Sequence, residues 1–178
     1  MQRWLVDATP LHHLSAVAAG ARWAWPPTTL EVAQAVFDEV DVPHEPRAPR
    51  HRLLRRATQG QRWIRVHDLA LGSAAERLYS TYLRPSQTDA TKHQGEDQSI
   101  ALCATALTDA VFVTCDRQAA LVALAELGPG RVATPFDVWA DLERRGLVSA
   151  ADRAALDAET LKTTQGLFPG VPRRLASG

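Results

Sequence analysis

Two short apolar runs, each closed by an acid, constrain this chain more than anything else in it: Trp4-Leu5-Val6-Asp7 and Val111-Phe112-Val113-Thr114-Cys115-Asp116. Unbroken apolar residues over three or four positions are how a strand buried on both faces reads, and such strands belong to parallel sheets covered by helices. Trp63-Ile64-Arg65-Val66 and Arg131-Val132-Ala133-Thr134 are shorter runs of the same kind. A carboxylate at the end of a buried strand lies where open parallel sheets collect their ligands.

Helical patterns alternate with these runs. Leu30 to Val40 carries Val32, Val36 and Val40 one turn apart, and Ile100 to Leu107 is rich in Ala and Leu. Ser73 with Glu76 three residues on opens a helix towards Leu83. Thr134-Pro135 with Asp137 opens another that Gly146 closes, and Ser149 with Asp152 begins a last one through Lys162. Strands alternating with helices predict an α/β fold with a central, mostly parallel sheet. At 178 residues one core is expected. The boundaries read as a domain over 1–146, with an Arg-rich insertion at about 43–62, and a helical extension with a frayed tail over 147–178.

Composition narrows the function classes. Apolar residues make up 46% and charged ones 22%, as in a folded globular protein. No stretch approaches the length of a membrane span, and the first residues run straight into a strand pattern, so a cytoplasmic protein away from membranes is expected. The two cysteines, Cys103 and Cys115, sit in apolar runs and suggest neither a disulfide framework nor a zinc cluster. Net charge is zero, yet seven arginines and no acid fall between Pro46 and His67. Of these, Arg47, Arg50, Arg52, Arg55 and Arg56 are the candidates for contact with the phosphates of a nucleic acid. A solvated loop or a clasp for an acidic partner is the competing reading.

Four acids stand where a fold of this kind wants apolar residues. Asp7 and Asp116 close strands. Glu39, three residues after Val36, is expected to lie along the apolar face of its helix, and Asp97 stands three and four residues before Ile100 and Ala101. Glu96 lies four residues from Ile100, so either it or Asp97 can be the acid that this helix supplies; the spacing and the shorter side chain favour Asp97. Clustered carboxylates repel one another and resist desolvation, a conflict that a hard divalent cation such as Mg²⁺ or Mn²⁺ resolves. His12 and His13 are adjacent, so they do not share a helical face and make a poor metal motif. No G-x-G-x-x-G follows the first strand, and Thr9 stands where a haloacid-dehalogenase-like phosphatase would carry a second aspartate.

In this order the segments Trp4-Leu5-Val6-Asp7-Ala8-Thr9, Val36-Phe37-Asp38-Glu39-Val40, Gly95-Glu96-Asp97-Gln98-Ser99-Ile100-Ala101 and Val113-Thr114-Cys115-Asp116 resemble the PIN domain family, particularly VapC-type toxins and their relatives. The resemblance implies a three-layer fold and a metal-dependent endoribonuclease. It assigns catalytic roles to Asp7, Glu39, Asp97 and Asp116, with Thr9 and Thr114 beside them, and metal contacts to Asp7, Glu39, Glu96 or Asp97, and Asp116. It also implies an RNA substrate, a Mg²⁺ or Mn²⁺ cofactor, and a homodimer restrained by an antitoxin. The chain departs from that pattern in its Arg-rich insertion, in its tail after Gly146 and in Ala119, where toxin relatives often carry an aromatic. A nuclease subunit or a non-catalytic interaction module of a larger complex is the alternative that these departures leave.

Overall fold

The computed structural model describes residues 2–20, 30–41, 64–86 and 93–163. The chain is an α/β protein built on five parallel strands: β1 (Arg3–Val6), β2 (Leu30–Ala33), β3 (Ile64–His67), β4 (Ala110–Val113) and β5 (Val132–Ala133). They lie side by side in the order β3-β2-β1-β4-β5. Every pairing is parallel, with Trp4 opposite Val111 on one side and Leu30 on the other. The chain thus leaves β1 in one direction to lay down β2 and β3, then returns to β1's other side for β4 and β5. The reversal between β1 and β4 is a topological switch point, where a crevice opens beyond the carboxyl ends of the strands.

Helices cover both faces of the sheet. On one side α1 (Ala8–Gly20), α6 (Pro135–Arg144) and α7 (Ala150–Thr163) pack on one another, and the Trp4 indole N–H, pointing that way, donates to Asp141 of α6 at 2.9 Å. On the other side α4 (Gln94–Thr105) lies across β1, β2 and β4, with α5 (Arg117–Leu127) beside it. The core runs through both layers, from Leu11, Leu14, Trp139 and Leu156 to Leu5, Phe112, Ile100 and Ala123. Helix α7, read from sequence as an extension, is thereby packed against α1 and α6. No helix among the described residues is long and apolar enough to cross a membrane.

The capping readings hold. Ser73 Oγ accepts from the Glu76 amide, Asp137 accepts from both the amide and the hydroxyl of Thr134, and Ser149 and Asp152 bond reciprocally. The helix opened by Ser73, α3 (Ala74–Leu78), continues as a π-helical turn (Tyr79–Leu83) and a 3₁₀ turn (Arg84–Ser86).

One expectation is overturned. Leu30 to Val40 is not a single helix: its first four residues form β2, buried between β1 and β3, and α2 (Gln34–Asp41) starts only afterwards. The helical spacing of Val32 with Val36 is a coincidence across that boundary. Within α2, Val36 and Val40 define the buried stripe. At about 100° per residue, Glu39 falls roughly 80° from its centre, and its side chain is exposed at the rim.

Candidate metal centre at the switch point

Asp7 leaves β1 with its amide donating to the Val113 carbonyl of β4 at 3.0 Å, so the two strand ends are tied together at the crevice. Its carboxylate is buried. Oδ1 accepts from the Ala8 amide at the start of α1 (2.7 Å), and Oδ2 accepts from the Thr114 hydroxyl (3.0 Å). The same hydroxyl oxygen accepts from the Asp116 amide at 3.0 Å. Thr114 therefore bridges the two strand-end acids, donating to one and receiving from the backbone of the other. Asp116 in turn caps α5, accepting from the Ala119 amide at 2.8 Å.

Helix α4 brings the next acid. Its first turn is pressed onto α2: a Cβ at Gly95 would stand 2.7 Å from the Val36 side chain, and Gln98 Oε1 accepts from the Ala35 amide at 2.7 Å. These contacts set α4, with Glu96, beside α2, with Glu39. Burial drives the Asp7 carboxyl up to about 7, and the negative charges of Glu96 and Glu39 add to the effect against the opposing bonds from Ala8 and Thr114. Glu96 is itself raised, first by burial and also by Asp116, although His93 Nδ1 at 3.2 Å draws it down. Asp7, Glu96, Asp116 and Glu39 thus form one electrostatically coupled group.

The remaining predicted residues take other places. Asp97 is buried as its spacing required, but its carboxylate is ion-paired with Arg84 at 2.8 Å, and the charge that α4 brings to bear on Asp7 is that of Glu96. Thr9 is half-buried in the first turn of α1. Arg47, Arg50, Arg52, Arg55 and Arg56 lie outside the described residues. His13, of the adjacent pair that made a poor metal motif, is a packing residue: buried, it meets the Thr163 hydroxyl at 2.7 Å and that of Thr160 at 3.3 Å, which ties α7 to α1.

A further buried acid, Glu31 of β2, has a structural task. The Arg3 guanidinium grips it with two bonds of 2.7 Å, and His67 Nε2 lies 2.5 Å from it. Burial alone would raise its carboxyl, but Arg3 and His67 outweigh burial and hold it at about 2. Its partners are supplied by the strands on either side, which a linear motif does not reveal.

The donors around Asp7 suit a hard divalent cation in kind, being carboxylate oxygens with a surplus of negative charge. Among the described residues, however, no three His, Cys, Asp or Glu side chains converge into a ready-made metal cage. Asp7 rests on Thr114 and Ala8, Asp116 on Ala119, and Glu96 on His93. Compared with known proteins, the chain matched no family model, no curated protein and no solved structure.

Proposed function

We propose that this protein is a divalent-metal-dependent endoribonuclease of PIN type, with Asp7, Glu96 and Asp116 as its principal acids and Glu39 at the rim. The observation that carries the reading is the buried Asp7 carboxyl at the β1/β4 switch point, pushed to about 7 by burial and by the charges of Glu96 and Glu39. A group of carboxylates that opposes its own ionisation is stabilised by a cation and is a poor choice for packing alone.

Mg²⁺ or Mn²⁺ held by Asp7, Glu96 and Asp116 would supply polarisation of a phosphate and a bound water of lowered pKa. The chain's own residues do the rest. Thr114 holds the Asp7 carboxylate and the Asp116 backbone in a fixed relation. The Asp7 carboxyl, driven to about 7 by burial in the metal-free protein, would give up its proton on taking up the cation. Glu39, exposed at the mouth, is open to water and to an incoming substrate. The arginines of 47–56 are proposed to neutralise RNA phosphates, and an antitoxin or a second copy of the chain to restrain the enzyme.

The test is cleavage of total RNA in Mg²⁺ or Mn²⁺, with EDTA and Asp116→Asn as controls. Metal-dependent cleavage lost in Asp116→Asn supports the reading. Cleavage that survives EDTA refutes it, and a complete lack of cleavage favours a non-catalytic interaction module, a role compatible with the partners that Asp7, Glu96 and Asp116 have within the protein.

A further inference from the structure

The two adjacent acids of α4 are not equivalent, and the difference traces to an arginine on another element. Consecutive residues of a helix point about 100° apart, so Glu96 and Asp97 cannot both face one target. Asp97, 2% exposed, turns to Arg84, whose Nη1 donates to its Oδ2 at 2.8 Å. Arg84 is itself held: its guanidinium carbon lies 6.0 Å from the centre of the Tyr79 ring, and Leu83 beside it is buried.

The turn that delivers Arg84 is unusual. After α3 the backbone widens into the π-helical Tyr79–Leu83, and Arg84 follows directly in a 3₁₀ turn. π-helical turns are rare and frequently found near functional sites. This turn packs on α4, so the change of helical pitch aims Arg84 at the start of the helix that bears both acids.

We propose that Arg84 is a positioning residue that holds Asp97 out of the acidic group and so makes Glu96 the acid that α4 contributes to it. A buried carboxylate with a bidentate-capable cation at hydrogen-bond distance has its charge neutralised locally and offers little to a second cation. Glu96, with the half-exposed His93 imidazole 3.2 Å away, is the acid of this pair whose charge bears on Asp7. Charge balance follows as well: the site faces its cation with Asp7, Glu96, Asp116 and Glu39, and Asp97 is withheld.

This inference rests on the metal reading above, and the experiment separates the two. Mn²⁺ affinity is measured by isothermal titration calorimetry on the wild-type chain and on Glu96→Gln, Asp97→Asn, Arg84→Gln and the Arg84→Gln/Asp97→Asn double variant. Changes around a metal typically cost about 10–100-fold in affinity. Glu96→Gln is expected to lose at least about tenfold and Asp97→Asn to stay within about threefold of wild type. Arg84→Gln strips the guanidinium counter-charge from the Asp97 carboxylate beside the site and is expected to bind Mn²⁺ more tightly, with the double variant returning to the wild-type value. Arg84→Lys, which keeps the charge, should match the wild type. An Asp97→Asn loss as large as that of Glu96→Gln would overturn the inference, whether or not Arg84→Gln folds. Equal affinity in Arg84→Gln and wild type, with circular dichroism showing both folded, would overturn it too, because a purely structural ion pair moves stability alone. If the wild-type chain takes up no Mn²⁺, the metal reading falls and this inference falls with it.

Discussion

Asparagine at position 7 should make the metal-free protein more stable at alkaline pH and leave it nearly unchanged at acid pH. The folded chain holds the Asp7 carboxyl at about 7 against an ordinary 3.8. Because the folded value is raised, the protonated form favours folding; that stability is fully present below about 3.8 and is lost as pH climbs through about 7. The gap amounts to roughly 4 kcal/mol at about 1.4 kcal/mol per pH unit, an upper bound for one buried group. The substituted side chain carries no charge, but its amide cannot accept from both Ala8 and Thr114, and the weakened bond costs about 1 kcal/mol. A net gain of about 1–3 kcal/mol at pH 8 is therefore expected. Urea denaturation of both proteins in EDTA, at steps between pH 5 and 8, reads the difference directly. Titrating groups away from the site, His13 included, cancel in the comparison. A difference that does not change with pH, or an Asp7→Asn protein less stable than wild type at pH 8, would refute the argument from clustered charge.

Three other substitutions probe the frame around the site. Gly95→Ala would push a methyl group to 2.7 Å from the buried, β-branched Val36; overpacking of about 1–3 kcal/mol should exceed the helix-propensity gain of about 1 kcal/mol and lower the urea midpoint. Glu31→Gln removes the buried carboxylate that Arg3 and His67 share and should destabilise by on the order of 3 kcal/mol, measured by thermal unfolding at pH 7. His13 has its pKa lowered to about 4, by burial first and by His12, with Glu159 opposing; the stability it contributes is present above about 6.5 and lost as pH falls through about 4. His13→Gln should therefore flatten the acid limb of the wild-type pH–stability profile.

The parts legible in sequence were those decided by local rules. Buried runs announced β1 and β4, and the acids that end them do stand at the switch point. Helix starts at Ser73, Thr134 and Ser149 followed from side-chain capping that needs only neighbours in sequence. What escaped depended on partners brought by the fold. β2 was hidden because Leu30-Glu31-Val32-Ala33 contains an acid whose burial is tolerable only with Arg3, 28 residues away, and His67, 36 residues away. Spacing placed Asp97 inward, as it is, but Arg84, which faces it there, belongs to a 3₁₀ turn reached through a π-helical one, and no capping or periodicity signal marked either. Helix α1 went unread, and the Thr160 and Thr163 contacts that hold its buried His13 come from the other end of the chain.

The claim that the acids at the switch point form a divalent-cation site is tested most directly by thermal unfolding with and without Mn²⁺, since this needs no knowledge of the RNA. A cation bound only by the folded chain at about 100 times its dissociation constant adds roughly 2.7 kcal/mol. The account predicts a clear rise in melting temperature for the wild-type protein on adding Mn²⁺, reversed by EDTA and absent in both Asp7→Asn and Asp116→Asn. A rise of equal size in either variant, or none in the wild type, would contradict it.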